Sequence, residues 1–211
     1  VAHDLNNILS GLVSTPELLL MDLPTDSPLI KPVQIMKDSG KRAAIIVDEL
    51  LTLARGTANV LEPVRLNDVI EDYLASPEFD RLAGFHPGVT LIKHLDPALP
   101  LLNASGLHMR KIVMNLTSNA MEAIQMGATQ KKGEVTLETA RVEFAQKNIK
   151  GYERTKDGPY VRFSVQDTGP GILNQDLDQI FEPFYTKKVL GRSGTGLGLS
   201  IVWNIVHDHN G

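Results

Sequence analysis

Residues at the start of the chain recur in alternating steps of four and three: Val1, Leu5, Ile8, Leu12, Thr15 and Leu19. That spacing is the seam of a coiled coil or helical bundle and predicts a helix over residues 1–21. His3, Asn7, Ser10 and Ser14 form a separate polar stripe, which turns His3 away from the apolar seam. Pro24, Pro28 and Pro32 then interrupt residues 22–32, since proline lacks the N–H a helix interior needs. A second helical pattern follows through Met36, Ser39, Ala43, Ile46, Leu50 and Leu53. Two amphipathic helices around a short breaker predict an antiparallel hairpin over residues 1–57. Each helix would bury one stripe, so the hairpin is expected to be half of a four-helix bundle completed by a second copy.

Residues 58–63 read as a linker that follows Gly56, and the pattern beyond it changes to mixed helix and strand over residues 64–211. Asn67-Asp68 offers a helix start with Val69, Ile70, Tyr73 and Leu74 on one face. Val89–Leu95 reads as a strand, and Ser105 as the N-cap of a helix to about Met126. Residues 134–144 alternate, Val135, Leu137 and Thr139 against Glu134, Thr136 and Glu138, as a strand does. A polar stretch over 145–158 follows. Tyr160–Gln166 is a further strand with Val161, Phe163 and Val165 on one face, and Leu197–His209 is a last helix. The fold class is therefore α+β, a helical hairpin followed by an α/β domain.

Composition narrows the chemistry. The 211 residues carry a net charge of -4, which disfavours a general nucleic-acid footprint, and no nucleic-acid partner is expected. With no cysteine, disulfides, thiolate catalysis and zinc–thiolate sites are excluded. No apolar run approaches the roughly 20 residues a membrane span needs, and no signal peptide is visible. The chain starts at Val1 within a helical pattern, without a cap, so it reads as a fragment with membrane attachment only through absent parts of its parent.

Four segments carry candidate chemistry, in one order along the chain. Asn115 and Asn119, in Asn115-Leu-Thr-Ser-Asn-Ala-Met-Glu-Ala123, are four apart and share a helical face. Their neutral amide oxygens suit Mg²⁺, which takes its other ligands from water and phosphate, although such a pair alone equally suits surface amides or caps. Asp167-Thr-Gly169-Pro-Gly171 follows a strand. Its glycines permit close backbone approach to a ligand, and an Asp there can accept a hydrogen bond from an exocyclic amine such as that of adenine. Phe181-Glu-Pro-Phe-Tyr-Thr-Lys187-Lys188 sets aromatics beside lysines that could meet phosphate or simply be solvated. Gly191-Arg192-Ser-Gly194-Thr195-Gly196-Leu197-Gly198 opens the last helix. Glycines at a helix start expose N–H groups to an anion, and no Gly-Lys-Ser/Thr follows as a Walker loop requires.

Together these four segments resemble the N, G1, F and G2 boxes of the histidine kinase ATP-binding domain, which shares its fold with DNA gyrase, mismatch-repair proteins and heat-shock chaperone ATPases. Val1-Ala-His3-Asp4-Leu-Asn-Asn7-Ile-Leu resembles the H box of the same kinases, in wording close to the nitrogen-regulatory and hybrid kinases. The resemblance implies an α/β sandwich ATP-binding domain after the hairpin, with ATP and Mg²⁺ as cofactors and a cytoplasmic location. By the same resemblance His3 is the phosphoacceptor, Asp4 takes its proton, and Asp4 and Asn7 are candidate phosphatase residues. Asn119 binds Mg²⁺, Asp167 reads adenine, and Gly169 and Gly171 shape the pocket. Lys187 and Arg192 face the phosphates with Gly194, Thr195, Gly196, Leu197 and Gly198 of the cradle. Asn115 stands where related ATPases carry a catalytic carboxylate, and an amide cannot take a proton from water, which favours transfer to histidine over hydrolysis.

The partners so implied are a second copy of the chain and a response-regulator receiver domain carrying the final acceptor Asp. The resemblance also implies more helix before His3 and more strand after Gly211, so both domains are expected to be truncated at those ends. Three alternatives stay open: a degenerate kinase that only binds ATP, an ATPase of the gyrase and chaperone class, and a core acting mainly as a phosphatase on its regulator.

Overall fold

The computed structural model describes residues 2–54, 61–127, 132–144, 157–187 and 195–211. The chain forms two compact units, Val1–Gly56 and Thr57–Gly211. The expected linker positions 58–60 lie outside the described residues, as do 145–156 of the polar stretch.

The first unit is a helical hairpin of α1 (Ala2–Asp22) and α2 (Ile30–Ala54). Lys37 pairs with Glu17 at 2.7 Å, and Gly40 packs against Leu12, so the helices run antiparallel. α2 starts two residues before Pro32, inside the stretch expected to be non-helical. The first-turn donors of a helix have no intrahelical acceptor, so proline costs nothing there.

Helix α1 buries a different stripe from the one its heptads suggest, while α2 keeps Ala43 and Ile46 of the predicted stripe half-buried. Pro16, Val33 and Gly40 are buried and Val13, Leu20 and Ala43 half-buried, whereas Leu12, Leu19 and Met36 stay exposed. Pro16, within α1, has no N–H for the carbonyl of Leu12. Gly40 of α2 comes so close to that carbonyl that a Cβ on it would sit 2.7 Å from the oxygen. A proline and a glycine thus set the closest approach of the two helices.

In the second unit β1 (Glu62–Val64) leads into α3 (Leu66–Leu74), α4 (Pro77–Phe85), β2 (Val89–Leu95), β3 (Leu102–Ala104) and α5 (Gly106–Gly127). Next come β4 (Gly133–Phe144), β5 (Gly158–Asp167), a 3-10 turn at Asn174–Asp176 and α6 (Gly198–Asp208). The main sheet has the order β2-β4-β5. β2 runs parallel to β4, from Val89 beside Gly133 to Leu95 beside Thr139. β4 runs antiparallel to β5, with Val135 beside Asp167. The parallel pair requires a crossover, and β3 with α5 supplies it.

Glu62 and Pro63, expected in the linker, instead form β1, because Leu102–Ala104 offers them an antiparallel partner. Strands this short show no period, so β1 and β3 escape a pattern reading. α4 has its signals in Ser76, whose Oγ accepts the N–H of Phe79 at 3.3 Å, and Pro77 at the first helical position.

α5 packs on β4 and β5, with α3 and α6 beside it. Val135, Leu137 and Thr139 alternate into the core as expected, meeting an interior that includes Ile70, Tyr73, Val113, Met121, Ile124 and Ile201. Each fully buried aliphatic side chain contributes about 1.5–3 kcal/mol. Thr139 is buried without penalty because its hydroxyl donates to Asn67 Oδ1 at 2.9 Å and accepts the N–H of Asp96 at 3.0 Å. Asn67 Nδ2 closes the ring on the Asp96 carbonyl at 2.8 Å, which ties α3 to β2 and β4.

Candidate functional site

Helix α5 is the floor on which the glycine loops converge. Asn115 and Asn119 lie on one of its faces, both half-buried. Asn115 Nδ2 donates back to the Lys111 carbonyl at 2.9 Å, which aims its Oδ1 outward from the helix. Gly198, the first residue of α6, comes directly against this face. A Cβ there would lie 2.8 Å from Asn115 Oδ1 and 3.6 Å from Asn119 Nδ2. The start of α6, with its N–H groups, is thereby placed beside the two amides.

The segment after β5 approaches α5 a turn further on. Asp167, at the strand end, accepts the N–H of Gly169 at 2.8 Å through Oδ1. A Cβ on Gly169 would lie 3.1 Å from the Ala123 carbonyl carbon, so glycine allows this turn to lie on the helix. Gly171 has a φ of +74° and open space around it. Thr168 is a structural residue that its motif did not single out. Its Oγ1 accepts the N–H of Glu134 at 2.9 Å and its own N–H donates to the Glu134 carbonyl at 3.1 Å, fixing the loop to β4.

The aromatic segment meets the last glycine segment directly. Phe184 has a φ of +68°, Gly196 has +74°, and the Phe184 N–H donates to the Gly196 carbonyl at 3.0 Å. A Cβ on Gly196 would lie 2.6 Å from the Phe184 carbonyl carbon, so only glycine fits. Thr195 Oγ1 accepts the N–H of Leu197 at 3.2 Å, and Leu197, fully buried, leads into α6.

Lys187, expected at phosphate, has its ammonium on Asp176. Tyr185 donates its hydroxyl to the other oxygen of Asp176 at 2.9 Å. The Lys187 bond holds the Asp176 carboxyl below its ordinary range against the opposing effect of burial, with Tyr185 adding to it. Burial, then the bond to Asp176, raises Tyr185, and the bond to Asp176 raises Lys187. Asp176 is a residue the motif reading missed, because nothing in Leu173-Asn-Gln-Asp176 signals which acid turns inward.

Arg192 and Gly194 lie outside the described residues. His3, Asp4 and Asn7 fall on α1, and their side chains lie outside the described part. Among the described residues no cluster of three or more His, Asp or Glu side chains could hold a metal. No helix among them is long and apolar enough to cross a membrane.

A sandwich in which two glycine segments, one of them opening a helix, close on an amide-bearing helix is the architecture of a nucleotide-phosphate site. The chain belongs to the family of histidine kinase-, DNA gyrase B- and HSP90-like ATPases, which matches residues 104–211. Over all of its length it is 33% identical to the sensor kinase CckA of Brucella abortus (strain 2308) and covers 21% of that protein. It is 29% identical to the sensory histidine kinase/phosphatase NtrB of Rhizobium leguminosarum bv. phaseoli, again over the whole chain and 52% of the relative. The chain thus spans about half or less of these relatives. The crystal structure of full-length ShkA in complex with AMPPNP shares the fold, with a TM-score of 0.67, 24% identity, and coverage of 98% of this chain and 39% of that one.

Proposed function

We propose that this chain is the core of a two-component sensor histidine kinase, which transfers the γ-phosphoryl group of Mg-ATP to His3 and passes it to an Asp of a receiver domain. The observation that carries this reading is the meeting of Gly198 with the amides of Asn115 and Asn119. It sets backbone donors for phosphate beside neutral oxygens for a cation, and residue 115 is an amide, which cannot take a proton from water.

Adenine would be read by Asp167, with Gly169 and Gly171 giving the base room. The phosphates would meet Lys187, Arg192 and the Gly194–Gly198 segment. Asn119 would hold Mg²⁺ through its amide oxygen, and the absence of an acidic cluster among the described residues fits an ion that draws its other ligands from phosphate and water. When bound, the ion screens the charge of the β- and γ-phosphates. The His3 imidazole nitrogen attacks the γ-phosphorus, the bond to the bridging oxygen breaks, ADP leaves, and Asp4 takes the imidazole proton. Asn115, an amide, does not activate a competing water.

Two copies would pair through the stripe that the hairpin leaves open, where Leu12, Leu19, Met36 and Ile45 are exposed. A phosphatase activity on the regulator, through Asp4 and Asn7, is favoured by the likeness to a relative that bears both activities in its name. Dependence on ATP places this part of the protein in the cytoplasm.

Incubation with Mg²⁺ and γ-labelled ATP is the test. Acid-labile label that is absent from His3→Gln supports the reading, and label that persists in His3→Gln removes His3 as the acceptor.

A further inference from the structure

Asp176 is the one buried carboxylate among the described residues. It closes the 3-10 turn Asn174–Asp176, and its carbonyl accepts the N–H groups of Gln179 at 2.8 Å and Ile180 at 3.1 Å. A carboxylate out of water needs partners on both oxygens. Both come from one short segment, the Tyr185 hydroxyl on Oδ1 and the Lys187 ammonium on Oδ2. That segment is held at its other end by Phe184, whose left-handed backbone is hydrogen-bonded to Gly196.

The pair is asymmetric. The Lys187 side chain is 52% exposed and that of Asp176 10%. The carboxylate is therefore covered, while the lysine side chain that meets it is half-open to solvent. An ammonium has three donors, so one bond to Asp176 leaves others for a second anion.

We propose that Asp176 is a positioning residue of the nucleotide site: it grips Tyr185 and Lys187 and presents the Lys187 ammonium to the terminal phosphates, sharing that ammonium between carboxylate and phosphate. This rests on the reading of Lys187 as a phosphate contact. A lysine on a free four-carbon stem loses rotamer freedom when it grips a phosphate, and a tethered one has lost it already. The charge of Asp176 opposes an incoming phosphate, but two donors, the Tyr185 hydroxyl and the Lys187 ammonium, compensate it. Tethering is therefore the larger effect, and removing the carboxylate weakens the grip on phosphate.

The measurement is the affinity of the whole chain, with Mg²⁺, for AMPPNP and for AMP by calorimetry. It is made for wild type, Lys187→Ala, Asp176→Asn and the double variant. Lys187→Ala lowers the preference for triphosphate over monophosphate. Asp176→Asn lowers it by about three- to tenfold, the size expected for ordering one long side chain. The double variant falls no further than Lys187→Ala, because Asp176 acts through Lys187. A merely structural Asp176 would weaken both nucleotides equally.

A preference that Asp176→Asn leaves intact or raises, while Lys187→Ala lowers it, overturns the positioning role and spares the phosphate reading. Independent losses that add in the double variant overturn it too. A preference untouched by Lys187→Ala removes both. Should Asp176→Asn not fold, NMR of the unmodified chain decides the matter. AMPPNP, and not AMP, should shift the Lys187 ammonium nitrogen while the Asp176 carboxylate carbon stays in place. A carboxylate signal that moves as the ammonium departs overturns the sharing.

Discussion

Two glycines of one segment do different work. At Gly198 an added Cβ would press on the movable end of Asn115, 2.8 Å away, and at Gly196 it would press on the Phe184 backbone at 2.6 Å. Gly198→Ala is therefore expected to fold, since alanine is favoured over glycine in helices by up to about 1 kcal/mol. The Asn115 amide must swing aside, however, and the helix start retreats from the phosphates. We expect nucleotide affinity to fall about tenfold or more, the scale of one charge-assisted hydrogen bond, with no drop in melting temperature. Gly196→Ala should lose stability instead, by about 1–3 kcal/mol, because its φ of +74° and the facing backbone both reject a side chain. Calorimetry and thermal melts separate the two outcomes.

Among the elements, the hairpin rests on its closest point. Pro16 leaves the Leu12 carbonyl without a helical donor, and Gly40 fills the space over it. Gly40→Val would force the helices apart at a contact where a Cβ meets backbone oxygen at 2.7 Å. Overpacking of this kind costs about 1–3 kcal/mol. The prediction is a lowered melting temperature for the hairpin while nucleotide affinity, which belongs to the other unit, stays unchanged. A variant with wild-type hairpin stability would show that the helices do not meet at Gly40.

For the molecule as a whole, the stability of the second unit should carry an alkaline signature from its core. Tyr73, on α3, is 1% exposed, lies edge-on to Phe79, and has the Arg110 guanidinium 5.5 Å above its ring. Burial, reinforced by the charge of Glu78 and opposed by Arg110, lifts its hydroxyl from 10.0 to about 12. The folded pKa is raised, so the contribution is complete below the unfolded value and is lost as pH rises from 10.0 toward about 12. Tyr73→Phe should flatten that part of the stability curve, measured by denaturant unfolding at stepped pH. An unchanged alkaline slope would place its cause elsewhere.

The sequence by itself determined the local structure and the inventory of the site. The heptads, the prolines at 24 and 28, and the alternation around Val135 and Val161 mark helices, breaker and strands because these follow from short-range periods. The four motif segments, one amide-bearing, two glycine-bearing and one aromatic with lysines, were legible for the same reason: each is contiguous, and their order along the chain joins them into one resemblance. Tertiary structure alone decided what those residues face. It buried Pro16, Val33 and Gly40 between the helices and left Leu12, Leu19 and Met36 outside, because a heptad names a stripe and not its partner. It put β2 parallel to β4, made a strand of Glu62–Val64, and turned Lys187 onto Asp176. Each of these depends on groups distant in sequence competing for the same partner, and a linear pattern does not record the outcome of that competition.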